Sequence, residues 1–108
     1  MISCTPEPPY FVAIFTSLRN PGDDGYGAMS ARMVDLVREQ PGYLGMESVR
    51  SADGRGITLS YWDSLESIQA WKRHAEHLEA QRLGREQWYE SYAIRVARVE
   101  RQSFFPGP

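Results

Sequence analysis

Tyr10-Phe11-Val12-Ala13-Ile14-Phe15-Thr16-Ser17-Leu18 is the stretch on which the fold turns. It is dense in aromatic and β-branched residues and bounded by Pro9 on one side and Asn20-Pro21-Gly22 on the other, which predicts a strand. Its alternating sets are Tyr10/Val12/Ile14/Thr16 and Phe11/Ala13/Phe15/Ser17. Both are largely apolar, whereas a strand with one face in water alternates apolar with polar. The strand therefore asks for cover on both sides.

Outward from that strand the pattern changes period. Tyr26, Met29, Met33, Leu36 and Val37 recur at helical spacing, with Asp23 and Asp24 suited to the positive end of the helix and Pro41-Gly42 to its stop. Tyr43 to Arg50 and Ile57 to Trp62 then read as a hairpin, its turn built on Asp53-Gly54. On the second of these strands Ile57/Leu59/Tyr61 alternate with Thr58/Ser60/Trp62. A long helical stretch is expected from Ser64 to Gln87, with Asp63 and Glu66 as a capping box and Gly84 as a candidate break. Leu65, Ile68, Trp71, Ala75, Leu78 and Arg82 fall on one face of it, and His74, His77 and Gln81 on an adjoining polar edge. A last strand runs to Val99, with Tyr92/Ile94/Val96 alternating with Ala93/Arg95/Ala97.

The order β-α-β-β-α-β is the ferredoxin-like arrangement, an α+β fold with an antiparallel sheet. Two helices cover one face of such a sheet, and the two-faced first strand needs a second cover. The same sheet from a second copy, placed by two-fold symmetry, supplies it, so a homodimer is expected. The 108 residues form one domain, with a core from about 10 to 101 and short flexible ends.

Composition narrows the function. A net charge of −2 gives no basic footprint for nucleic acid. The longest apolar run falls far short of the roughly 20 residues of a membrane helix. The start MISCTPEPPY lacks the basic and apolar regions of a signal peptide, so a cytoplasmic location is expected. A single Cys excludes an intrachain disulfide and a Cys-based zinc site, and with two His no dedicated metal site is expected. No glycine-rich phosphate loop follows a strand.

At Tyr61-Trp62-Asp63-Ser64-Leu65-Glu66-Ser67-Ile68-Gln69-Ala70-Trp71 the chain resembles the antibiotic biosynthesis monooxygenase superfamily: an aromatic-Trp pair ends a strand, a polar cap follows, and a second Trp sits on the helix. Trp71-Lys-Arg-His-Ala-Glu-His77, Gly84-Arg-Glu-Gln-Trp-Tyr89 and Pro41-Gly-Tyr-Leu-Gly45 are similar to its bacterial members of poorly defined function. The resemblance implies a dimeric α+β barrel. It also implies either cofactor-free oxygenation of aromatic compounds or haem binding and degradation. For the haem branch it asks for an Asn on the first strand, a Trp on the second helix and a haem-ligating His at the place of position 81. Trp71 matches, but position 81 is Gln and no Asn precedes Asn20.

The candidate catalytic residues are His77, His74 and Trp71, the histidines as general base and the Trp as a stacking wall. Gln81, Tyr61, Arg95 and Tyr92 are the candidate substrate-binding residues, polar anchors for a phenolate or a reduced-oxygen intermediate. Each has a plainer role available: solvated or capping histidines, core packing for Trp71, an ion pair for Arg95. The expected activity is cofactor-independent oxygenation of a small aromatic or polyphenolic compound. The alternatives are a haem-binding protein and a non-catalytic dimer that binds a small ligand.

Overall fold

The computed structural model describes residues 2–22 and 25–107. Its elements are β1 (Tyr10–Arg19), α1 (Tyr26–Arg38), β2 (Tyr43–Arg50), β3 (Arg55–Trp62), α2 (Leu65–Lys72), α3 (Ala75–Leu83) and β4 (Tyr89–Val99). A π-helical turn at Gly84–Trp88 joins α3 to β4. The four strands form one antiparallel sheet in the order β2-β3-β1-β4, a ferredoxin-like α+β fold. β1 is thus an interior strand, with two apolar faces of which the helices cover one.

Register sorts the side chains into two faces. Phe15 stands opposite Thr58 and Ile94, and Ala13 opposite Ser60 and Val96. With Trp62 and Tyr92 these form the inner face, roofed by the three helices. Trp62 is its anchor: fully buried, its indole N–H donates to Ser60 Oγ at 2.9 Å, and Tyr43 packs edge-on against it. On the outer face Ile14 stands opposite Leu59 and Arg95, and Val12 opposite Tyr61 and Ala97. Helices leave this face bare, and Val49 and Ile57 on it are 58% and 45% exposed. No described helix is long and apolar enough to cross a membrane.

The ends of the chain are tied down. Ser3 donates its backbone N–H to Glu47 Oε2 and its hydroxyl to the Met46 carbonyl. Thr5, Tyr10 and Gln102 share a hydrogen-bond network across 97 residues of sequence. Tyr10 is buried as a result, and Phe105 beyond the network is exposed.

Two local expectations are corrected. The helix from Ser64 is not continuous: His74 is extended, at φ −60° and ψ 133°, and divides it into α2 and α3. Its N–H bonds the Trp71 carbonyl and its own carbonyl accepts from Leu78, so one helix closes on it and the next opens from it. The break changes the helical phase, so Leu78, expected on the buried face, is about half exposed; Leu65, at the first turn of α2, is exposed to the same extent. Secondly, the N-cap is Ser64, whose Oγ accepts from the Ser67 N–H, while Asp63 accepts from the Ser67 hydroxyl. α1 starts at Tyr26, as its pattern implies, with Gly25 at the N-cap, φ 82° and no side-chain cap. Asp23 and Asp24, expected to serve that end, lie outside the described residues.

Candidate functional site

A cavity of about 440 Å³ lies between the inner sheet face and the helices. That is within the usual range for a small-molecule site. Its floor carries Ala13, Phe15, Thr58, Ser60 and the β4 residues, and α1 contributes Met29, Met33 and Val37. Ile94 and Val96, both 48% exposed, leave the β4 side of the cavity open.

Trp71, His77 and Gln81 line the wall formed by α2 and α3. The His77 ring stacks on Trp71 with centroids 4.5 Å apart and planes 21° from parallel. Its Nδ1 lies 3.0 Å from the Trp71 carbonyl oxygen. A carbonyl only accepts, so Nδ1 carries the proton and Nε2 keeps its lone pair. Burial holds the His77 pKa below the ordinary imidazole value, more than the bond to the carbonyl raises it. His77 is therefore a neutral base at pH 7. His74 packs on the same indole at 5.5 Å, but it is the N-cap residue of α3, and its buried Nδ1 has no hydrogen-bond partner among the described residues. The break at His74 is what brings both imidazoles to Trp71.

The other predicted residues divide. Tyr92 lines the cavity, edge-on to Phe15 at 5.4 Å. Tyr61 and Arg95 are in register with Val12 and Ile14 on the opposite face, away from the cavity. Tyr61 donates to Glu47 Oε1 at 2.6 Å, and its pKa is raised, first by burial and then by that bond. Each strand alternates two sets that both contain aromatic or polar residues, so sequence alone left their side open.

Several lining residues escaped the sequence reading. Arg50, Tyr26 and Tyr89 gather at the hairpin end of the cavity, with the Arg50 guanidinium carbon 6.0 Å and 5.9 Å from the two ring centres. Burial and a hydrogen bond to Tyr26 push the Tyr89 hydroxyl well above the ordinary tyrosine pKa, so it stays protonated. Arg50 shares strand parity with Met46 and Ser48, which was the available signal. The described lining holds Arg50, Lys72 and His77 but no carboxylate.

A haem constellation is not assembled. Gln81, an amide, stands on the wall where an imidazole is required, and Asn20 lies past the end of β1 with its amide donating to the Gln87 carbonyl. Among the described residues no three His, Cys, Asp or Glu side chains gather as a metal site.

Fold and cavity together define a ferredoxin-like α+β domain with one aromatic-lined, ligand-sized chamber under its helices. Solved structures share this fold. A conserved protein of Methanosarcina mazei superposes with a TM-score of 0.75 at 12% identity, covering 85% of this chain and 94% of its own. Rv0793 of Mycobacterium tuberculosis gives 0.74 at 16% identity, covering 87% and 99%. SnoaB of Streptomyces nogalater, a cofactor-independent oxygenase, gives 0.69 at 12% identity, covering 88% and 95%. In sequence, the uncharacterized protein YqjZ of Bacillus subtilis is 58% identical over 104 residues, 96% of this chain and 91% of the relative. The antibiotic biosynthesis monooxygenase profile matches residues 9–83. The chain belongs to the antibiotic biosynthesis monooxygenase family.

Proposed function

We propose that this protein is a homodimeric monooxygenase that takes a small aromatic or polyphenolic compound into the cavity of each protomer and oxidises it without a cofactor. The observation that carries the reading is His77: a desolvated neutral imidazole with its tautomer fixed, on the wall of a cavity of substrate size. Family membership and the likeness to SnoaB support the reaction class.

His77 Nε2 takes a proton from an acidic ring CH₂ flanked by hydroxylated rings. The resulting carbanion gives an electron to O₂, and the radical pair joins as a C–O–O⁻ peroxide that takes the proton back from the imidazolium. His77 then removes the second C–H proton as the O–O bond breaks, and the departing hydroxide takes that proton from the imidazolium and leaves as water. CH₂ and O₂ become C=O and H₂O. Trp71 holds the flat substrate by stacking, with Gln81 and Tyr92 as polar anchors. The apolar floor keeps water from the reduced oxygen.

The outer face supports the dimer. The chain exposes 7113 Å². A compact monomer of its mass exposes roughly 6100 Å². The excess and the bare apolar strands fit a second sheet packed against the first.

The test is oxygen uptake with 1,8-dihydroxyanthrone, whose ring CH₂ lies between hydroxylated rings. The wild type consumes oxygen, and replacing His74 and His77 together by Gln lowers turnover by about 10²–10⁴. Unchanged turnover sinks the proposal. Haemin added to the purified protein gives no stoichiometric Soret shift. A saturable shift overturns the cofactor-free reading.

A further inference from the structure

Four arginines of the fold, Arg32, Arg55, Arg82 and Arg98, pair with carboxylates at the surface. Two others do not. Arg19 and Arg50 converge on one ring, with guanidinium carbons 3.5 Å and 6.0 Å from the centre of Tyr26. Their hydrogen bonds among the described residues go only to neutral acceptors: Arg19 to the Gly22 carbonyl, Arg50 to the Gly54 carbonyl and Ser17 Oγ. Arg19 Nε is buried with no partner among the described residues. Two like charges thus meet at one end of the chamber, Arg19 half-buried and Arg50 exposed, with no carboxylate paired to either among the described residues.

The placement of Arg50 is built. Its guanidinium crosses β3 on the inner face to reach Ser17, and it does so over Gly56. A Cβ at Gly56 would stand 2.6 Å from the Arg50 guanidinium carbon, so a larger residue there would push this flexible side chain aside. The fork uses one N–H of each terminal nitrogen on Gly54 and Ser17, and its remaining donors are free to take an oxyanion.

We propose that the hairpin end of the cavity is an anion subsite: Arg50, seated over Gly56 and backed by Arg19, binds a carboxylate on an aromatic ligand whose ring lies among Phe15, Tyr89 and Tyr92. The preferred ligand is thus an aromatic acid rather than a neutral polyphenol. This rests on the cavity being the ligand site. It makes Arg50 a specificity-determining residue and assigns it no part in the chemistry.

The probes are 2-naphthoate and its neutral isostere 2-naphthamide, titrated into the full-length protein and followed by tryptophan fluorescence. The wild type binds the acid about tenfold tighter than the amide, or more. Added NaCl weakens the acid and leaves the amide unchanged. Arg50→Gln removes the preference without changing amide affinity. Gly56→Ala, which displaces the guanidinium but keeps its charge, reduces the preference, and Lys72→Gln leaves it intact. Equal binding of acid and amide by the wild type overturns the subsite and leaves the cavity reading standing. A preference that survives Arg50→Gln also overturns it. Binding of neither probe overturns the subsite and removes the ligand-site reading beneath it. If Arg50→Gln does not fold, the wild-type salt dependence decides, and a preference indifferent to NaCl overturns the proposal.

Discussion

The inner and outer faces of the sheet are written by the same four strands, one residue out of phase. The inner face mixes rings and hydroxyls: Phe15, Trp62 and Tyr92 beside Ser60 and Thr58. The outer face is mostly aliphatic, with Ile14, Ile57, Leu59 and Val12, and its polar members are Tyr61 tied to Glu47 and Arg95 near one edge. Hydroxyls within an apolar chamber offer a ligand directional contacts, whereas a flat aliphatic surface offers only area, which suits a second protein surface. One face reads as a site and the other as a seam.

The division can be broken from the outside first. Ile57→Asp puts an unpaired carboxylate on each side of the proposed seam, and the dimer is expected to dissociate at micromolar concentration; sedimentation reads one protomer in place of two. A variant that stays dimeric removes the outer face from the assembly. From the inside, Trp62→Ala empties the anchor of the core and is expected to lower stability by about 3–5 kcal/mol in urea unfolding. A loss below about 1 kcal/mol would mean that the roof is not held by that indole. A smaller change, Ser64→Ala, removes the cap of α2 and costs about 1 kcal/mol, while the dimer persists.

The finest probe is pH. The folded-state pKa of His77 lies below its unfolded value of about 6.5. Between the two values the unfolded chain binds more protons, so stability rises with pH there. The contribution is fully present above about pH 6.5 and is lost as pH falls towards the folded value. Urea midpoints should therefore drop on acidification through that window, and His77→Gln should flatten the drop. A variant as acid-sensitive as the wild type would show that His77 is not the desolvated group.

How much of this was readable in the sequence depended on the range of the forces involved. Strand limits, the positive φ of Gly54 in the hairpin turn and the two faces of β1 follow from local alternation and turn chemistry, and they stand in the structure. Gln81 follows His77 by one helical turn, as the sequence pattern had it, but His77 reaches Trp71, six residues away, only because the chain is extended at His74. The break at His74 did not show, because an extended residue among good helix formers is selected by packing on Trp71 and not by propensity. Tyr61 and Arg95 could not be assigned to a face, since β3 carries Tyr61 beside Trp62 and β4 carries Tyr89 and Tyr92 in opposite phases. Arg50 and Gly56 meet across two strands, and nothing short of the register reveals that one makes room for the other.

Strand alternation also acts as a reading frame. One residue inserted within β3 would turn Trp62 outward and carry Tyr61 into the chamber, and one within β4 would exchange Arg95 for Ile94. Such a change damages pocket and seam at once, because each strand edits both. Length variation among relatives should therefore be confined to the segments between strands and helices, such as residues 20–25 and 51–54. A foreign loop grafted there is the least disruptive way to enlarge the protein.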